Sequence, residues 1–393
     1  MHTTAYTDSC MTDIKPKLLR VMTHDISLDA LVEGQLRYLS ENGFEVVGVA
    51  ADTGRMEGIA RREGVRCVDL PMHREISPMA DLRSLWRMIR LIHRERPDIV
   101  HANTPKGSLL ALVASWLCRV PVRIYYVTGL RFETATGAMR TLLKTMERIT
   151  CRCATEVIPE GDGVARTLRA EGITRRPLRK VHNGQIRGIN LEYLNPGQVK
   201  VERTTQPGVT TFIFIGRIVG DKGISELAWA FDRLYRDTGG NVRLLLVGDY
   251  EDALDPVDDS ARRLLRENPA VTFAGLQSDI RPWLAASDVL VLPSYREGFP
   301  NVVLEAGAMG LPVVVTDVNG ADEVITEGYN GLIVPRRDAD ALYKAMSRMH
   351  SEPEERRAMA SVARGVIVEK FDRHDIWVAM RKRYIELLNG KLV

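Results

Sequence analysis

The sequence predicts an α/β protein made of two doubly wound, Rossmann-like domains. Two observations carry this. Short, strongly apolar runs of strand length alternate with longer amphipathic stretches of helical period along nearly the whole chain. At 393 residues, the chain is also longer than a single hydrophobic core supports, on a prior of ~100–200 residues per domain.

In the first half the expected strands are Leu18–Thr23, Glu45–Ala50, Ile99–His101, Arg123–Val127, Glu156–Ile158 and Lys180–His182. In the second they are Thr211–Ile215, Arg243–Val247, Val271–Phe273, Val289–Leu292, Pro312–Thr316 and Gly331–Val334. Between the two sets, residues 191–208 are rich in turn formers (Asn195-Pro196-Gly197, Gln206-Pro207-Gly208) and read as a linker. Domains of 1–190 and 209–373 follow, with a closing helix over His374 to Leu388 that could pack back onto the first domain. Doubly wound sheets bind ligands in the crevice beyond the carboxyl ends of their strands, so two such crevices could face a central cleft.

Composition narrows the function. Hydrophobic residues make up 45% and charged residues 27%, as in globular proteins. The longest apolar run, Leu109 to Cys118, is too short to span a bilayer and is expected to be a buried helix. Nothing near Met1 looks like a secretion signal, which makes the cytoplasm the expected compartment. Cys10, Cys67, Cys118, Cys151 and Cys153 are scattered and odd in number, which suits reduced thiols. No metal site is expected from Cys151 and Cys153, because no second Cys/His pair lies beside them. Aromatic residues are 6% and show no interleaved basic and aromatic platform, so nucleic acid is not an expected partner. Charge is uneven: residues 1–200 hold 30 Lys+Arg against 22 Asp+Glu, a balance of +8, and the remaining 24 against 29 give −5. A basic first half suits an anionic partner.

The second half holds the densest chemistry. Phe212-Ile213-Phe214-Ile215 is a buried strand that ends in Gly216-Arg217, and Gly220-Asp221-Lys222-Gly223 follows before a helix at Ile224. An Arg fork and a Lys point charge after one strand are apt for phosphate oxygens, although such pairs also occur in solvated turns. The strand Val289–Leu292 leads through Tyr295-Arg296-Glu297-Gly298-Phe299-Pro300 into a helix beginning near Asn301. Free N–H groups there would cradle a diphosphate. Glu297 precedes that helix and Glu305 lies about one turn inside it, so the two carboxylates can reach different parts of one ligand. Plain alternatives are a surface carboxylate for Glu297 and a complement to the helix dipole for Glu305.

The spacing of Glu297 and Glu305 resembles the signature of glycosyltransferase family 4. Asp221 to Leu227, Val291 to Pro300, Gly310 to Asp317 and Asn330 to Pro335 resemble the same family in order and spacing. The resemblance implies the GT-B fold and a retaining, metal-independent transfer of a sugar from a nucleotide diphosphate, UDP-linked, with no cofactor. It implies catalytic roles for Arg217, Lys222 and Glu297: the two cations hold the donor diphosphate and stabilise the leaving group, and Glu297 meets the transferred sugar. Gly216, Gly298, Phe299, Pro300, Asn301, Val302 and Val303 complete the donor site, and Glu305 accepts from the ribose hydroxyls.

The first half resembles the family over Leu31–Leu36 and Asn42–Val46. His101, Asn103 and Lys106, just after a strand, are the acceptor-side candidates. Two departures stand out: Thr23 to Asp29 replaces a glycine pair common among relatives, and Tyr126 to Gly129 stands where a His is frequent. The loop style is similar to that of capsule and surface-polysaccharide transferases, implying an acetamido sugar donor and a glycan or polyprenyl-diphosphate-linked acceptor. Two alternatives stay open: a nucleotide-sugar epimerase of the same fold, and a non-catalytic nucleotide- or membrane-binding protein.

Residues 82–96 form an expected helix with Leu82, Leu85, Trp86, Ile89 and Ile92 on one face and Arg83, Arg87, Arg90 and Arg94 around it. Arg140, Lys144, Arg148 and Arg152 recur every fourth residue on another and should repel without an anionic partner. Together they suggest peripheral contact with an anionic membrane surface, against the plain alternative of sheet-covering helices with solvated arginines.

Overall fold

The computed structural model describes residues 15–73, 77–199, 208–252 and 255–390. The chain divides into two compact units, residues 1–188 with 373–393, and residues 189–372.

The first unit holds β1 (Lys17–His24), β2 (Glu45–Ala51), β3 (Arg66–Asp69), β4 (Ile99–Ala102), β5 (Val122–Val127) and β6 (Glu156–Pro159). All neighbours are parallel and the order is β3-β2-β1-β4-β5-β6. Among the described residues they are accompanied by α1 (Asp25–Leu31), α2 (Gln35–Glu41), α3 (Met56–Glu63), α4 (Pro78–Glu95), α5 (Pro105–Leu117), α6 (Gly137–Cys153) and α7 (Asp162–Ala170). Helices cover both faces, so the strands read as continuous apolar runs. Leu18 and Met22 enter one core cluster, Leu19 and Val21 another.

The second unit repeats the plan. It contains β7 (Thr210–Ile215), β8 (Val242–Val247), β9 (Val271–Gly275), β10 (Val289–Leu292), β11 (Val313–Thr316) and β12 (Gly331–Val334). Their order is β12-β11-β10-β7-β8-β9, again parallel throughout. Its helices are α8 (Ile224–Asp237), α9 (Asp259–Glu267), α10 (Arg281–Ala285), α11 (Asn301–Ala308), α12 (Ala321–Val324), α13 (Ala339–Ser351) and α14 (Pro353–Lys370). In both units the order reverses between the first strand and the fourth, which is where open α/β sheets place a ligand crevice.

The last helix, α15 (Arg373–Leu388), belongs to the first unit. Met380, Tyr384 and Leu387 lie in the same core cluster as Leu18 and Met22. The Tyr384 hydroxyl and His101 Nδ1 are 2.7 Å apart, and Arg383 pairs with Glu156 at 2.5 Å.

Three expectations need correction. Lys180–His182 is not a strand: His182 has a φ of 52°, in the left-handed region, and the Lys180 ammonium is held by Asp162 at 2.6 Å. The sheet is completed instead by the edge strand β3, whose two apolar residues, Cys67 and Val68, gave too short a run to read. The third correction concerns α4, whose buried face is Ser84, Met88, Leu91, Ile92 and Glu95; Leu82 is 63% and Trp86 50% exposed. Polar anchors set this phase. Ser84 Oγ donates to the Pro71 carbonyl at 2.7 Å, and Glu95 turns inward to Arg66 and Lys17.

The basic row on α6 also finds partners within the unit. Arg140 and Lys144 share Glu171 at 2.7 and 2.6 Å, and Arg148 donates to the carbonyls of Glu171 and Gly172. Cys67, Cys118, Cys151 and Cys153 are free thiols, and Cys10 lies outside the described residues, as do residues 200–207 of the expected linker. Among the described residues no helix is long and apolar enough to cross a membrane.

Candidate functional site

The carboxyl edge of the second sheet is built by two loops, one after β7 and one after β10, on either side of the point where strand order reverses. They interlock at Gly223, which ends the β7 loop with a φ of 68° and would place a Cβ 2.0 Å from the Pro293 carbonyl oxygen. No side chain fits there, so glycine is what lets the loops touch. The Tyr295 N–H then donates to the Asp221 carbonyl at 2.8 Å, and the buried Ser294 hydroxyl donates to the same carbonyl at 3.3 Å.

Charges cross the same seam in two adjacent pairs. Lys222 Nζ donates to Glu297 Oε1 at 2.5 Å, and Arg296 Nη2 meets Asp221 Oδ2 at 3.2 Å. Lys222 and Glu297 are both about five-sixths shielded, with side-chain exposures of 17% and 16%. Arg217, more open, pairs with Glu251 from the loop after β8 at 3.1 Å. That loop is drawn in by Gly248, whose φ is 137° and whose Cβ would fall 2.0 Å from the Gly216 carbonyl oxygen. Tyr295 donates its hydroxyl to the Glu226 carboxylate at 2.6 Å, and burial, then this bond, push its phenol above the usual range.

Helix α11 starts at Asn301 with Pro300 as its N-cap residue and no side-chain cap. Pro300 supplies no cap, and the first-turn N–H groups carry the positive end of the dipole. Phe299 is buried beneath this turn, edge-on to Phe371 with centroids 5.6 Å apart. Asn301, Val302 and Glu305 are half-buried, whereas Val303 is fully buried. Arg217, Lys222, Glu297 and the start of α11 thus occur on loops leaving the same sheet edge. Glu251, Glu226, Asp221 and Arg296 belong to the arrangement and had no role in the sequence. Asp221 and Arg296 could have been noticed as immediate neighbours of Lys222 and Glu297, and Glu226 as part of the 221–227 segment; Glu251 carries no local signal.

In the first unit the acceptor-side candidates divide. His101 is wholly buried in mid-strand, stacked on Tyr126 and bonded to Tyr384, and burial followed by the Arg20 charge holds it well below its ordinary pKa. Lys106 is 7% exposed and pairs with Asp81 of α4 at 2.7 Å. Asn103 sits between β4 and α5; its side-chain amide is buried and neither of its polar atoms has a hydrogen-bond partner. Beside it Thr23 and Thr104 join their hydroxyls at 2.7 Å, and the Gly107 N–H donates to Thr23. His101 and Lys106 are thus committed within the unit, and Asn103 is the candidate at the crevice edge.

Two six-stranded parallel sheets, each in a doubly wound unit, make up the GT-B fold. The family described as "Glycosyl transferases group 1" matches residues 209–352, and "Glycosyl transferase 4-like domain" matches residues 30–184. The chain is 31% identical over 372 residues to the capsular polysaccharide biosynthesis glycosyltransferase CapM of Staphylococcus aureus, covering 94% of this chain and 96% of that protein. It is 26% identical over 339 residues to the UDP-Gal:alpha-D-GlcNAc-diphosphoundecaprenol alpha-1,3-galactosyltransferase of Escherichia coli, covering 84% and 86%. The solved structure of Anabaena Alr3699/HepE in complex with UDP superposes with a TM-score of 0.74 at 18% identity, over 94% of this chain and 99% of that one. The chain belongs to glycosyltransferase family 4, and it is a glycosyltransferase.

Proposed function

We propose that residues 209–373 bind a UDP-linked sugar, and that the enzyme transfers it with retention of configuration to a glycan or polyprenyl-diphosphate-linked acceptor held by residues 1–190. The product would enter bacterial surface polysaccharide. The observation that carries the donor assignment is the convergence of Arg217, Lys222 and Glu297 at the strand-reversal edge, with the N-terminal turn of α11 on the same edge.

The chemistry asks for these groups. The anomeric C–O bond breaks and the diphosphate departs with the electron pair. The acceptor oxygen forms the new bond on the same face, and its proton passes to a leaving-group oxygen. Negative charge grows on the diphosphate, where fixed cations and oriented N–H groups stabilise it most. Arg217 and Lys222 would supply that charge without a metal. In this scheme a donor phosphate displaces Glu297 from Lys222, freeing the carboxylate for a sugar hydroxyl, and Glu305 accepts from the ribose. The name of the S. aureus relative supports the polysaccharide assignment, and that of the E. coli relative supports a lipid diphosphate acceptor. An acetamido sugar is the first donor to try, on the likeness to capsule transferases.

Thermal denaturation against UDP- and GDP-sugars tests the donor site. A ligand at ~100 times its dissociation constant stabilises the protein by ~2.7 kcal/mol. A rise in midpoint with UDP-sugars, reduced in Lys222→Ala, is expected. No shift with any nucleotide sugar would overturn the proposal.

A further inference from the structure

Arg20 lies in the middle of β1 and is wholly buried. It shares a face of the strand with Leu18 and Met22, two residues to either side, so its side chain enters the apolar cluster that also holds Tyr126 and Tyr384. The guanidinium Nη2 donates to Gln35 Oε1 at 3.3 Å, whereas Nε and Nη1 have no partner. Gln35, the first residue of α2, is wholly buried as well, and its amide nitrogen also has no partner. On the neighbouring strand Arg20 is level with His101 of β4, whose Nε2 is a fourth such atom.

A guanidinium does not give up its proton, so Arg20 is a fixed positive charge inside this core. Among the described residues no carboxylate acts on it. The groups whose charge would favour it are the hydroxyls of Tyr384 and Tyr126, and burial pushes Tyr384 up to about 12, so that it is uncharged at neutral pH. His101 offers no negative charge either: burial, and then Arg20 itself, hold it neutral. Hydrogen bonds to neutral groups satisfy the protons of a buried cation without cancelling its charge, and a charge left uncancelled in a core is strongly destabilising.

We propose that Arg20 and Gln35 hold a small monovalent anion, of the charge and size of chloride, inside the first unit. The N–H groups of Arg20 Nε and Nη1 and of the Gln35 amide are the donors left for it. His101 adds Nε2–H in the tautomer in which Tyr384 donates to Nδ1. A donor set of N–H groups with no carboxylate suits an anion and not a metal ion. One fixed charge calls for one opposite charge, and enclosure within the core favours an ion without appendages. Such an ion binds the folded unit alone, so it acts as a folding ligand, independent of the donor and acceptor assignments.

Urea denaturation of the full chain, with gluconate exchanged for chloride at fixed ionic strength, tests this without any measurement of transfer. Above the dissociation constant, each tenfold rise in chloride should raise the midpoint by an equal step, and bromide should replace chloride. Gln35→Glu sets a carboxylate beside Arg20 Nη2. Its midpoint should be independent of halide and should stand in gluconate at least as high as that of the wild type in chloride. Arg20→Met removes the charge and keeps an unbranched side chain, and it should lose the halide dependence too. Should either variant fail to fold, anomalous diffraction from wild-type crystals grown in bromide decides, with a peak expected within hydrogen-bonding reach of Arg20 Nε or Nη1. A wild-type midpoint indifferent to halide, wild-type halide dependence in either variant, or an anomalous map without a peak beside Arg20 would overturn the proposal.

Discussion

Asp221 and Arg296 face each other at 3.2 Å one residue before Lys222 and Glu297, which face each other at 2.5 Å. The outer pair spans the same two loops as the inner one and sets their separation. Arg296→Ala should therefore lower kcat by up to ~100-fold, the scale of a misplacement near 1 Å, with a smaller change in donor KM. Arg296→Lys should recover part of the loss. Steady-state kinetics over donor concentration would separate these effects, and an unchanged kcat in Arg296→Ala would exclude a positioning role.

Removing either donor-site cation should be costly. Lys222→Ala and Arg217→Ala should each reduce turnover by at least ~100-fold, as when one stabiliser of developing charge is lost. Glu305→Gln should mainly weaken nucleotide affinity, and Glu297→Ala should mainly reduce turnover. Calorimetric titration with UDP beside transfer rates would show this division. Full activity in the cation variants, reversed glutamate phenotypes, or complete loss of wild-type activity in chelator would each contradict the proposed scheme.

Glu147 gives a pH signature unrelated to catalysis. It is buried against Tyr125, whose hydroxyl donates to it at 2.6 Å, and burial pushes its carboxyl up to about 7. A carboxyl whose pKa is raised on folding binds its proton more tightly in the native state. Its contribution is fully present below about 4.5 and is lost as pH rises through about 7, by ~1.4 kcal/mol per unit across that interval. Glu147→Gln keeps an acceptor for Tyr125 and should remove this term. Urea midpoints from pH 5 to 8 should show the variant gaining on the wild type as pH rises; parallel curves would refute the assignment.

The Tyr384 hydroxyl is the partner of His101 Nδ1, while His101 Nε2 has none. Tyr384→Phe should destabilise the first unit by ~1–3 kcal/mol, the cost of leaving a buried polar group unpaired. UDP affinity, a property proposed for the other unit, should stay unchanged. Denaturant melts read beside UDP titration would check both halves of this expectation, and a loss of UDP affinity at unchanged stability would contradict it.

What the sequence revealed and what it hid have physical causes. Phe212 to Ile215 and Val289 to Leu292 were legible because strands covered on both faces must be apolar at consecutive positions. The start of α11 near Asn301 followed from turn residues and a proline. The rotation of α4 was hidden, since Ser84 and Glu95 are buried polar residues satisfied by Pro71, Arg66 and Lys17, partners remote in sequence. Glu251 was hidden likewise, as was the partner of Glu226, since Glu251 and Glu226 join Arg217 and Tyr295 through tertiary contact alone. His101 was an acceptor-side candidate because it falls at the end of a strand, the edge where such sheets bind ligands. Helix α15, more than 270 residues later, is what covers it.

That last contact bears on how the molecule is made. The second unit is inserted between α7 and α15 of the first, so during synthesis residues 189–372 emerge and can close their own core while one face of the earlier sheet still waits for Met380, Tyr384 and Leu387. The half translated first is thus closed only after the second unit has emerged, and until α15 follows, Phe44 and His101 wait for the Tyr384 ring and hydroxyl that meet them in the folded unit.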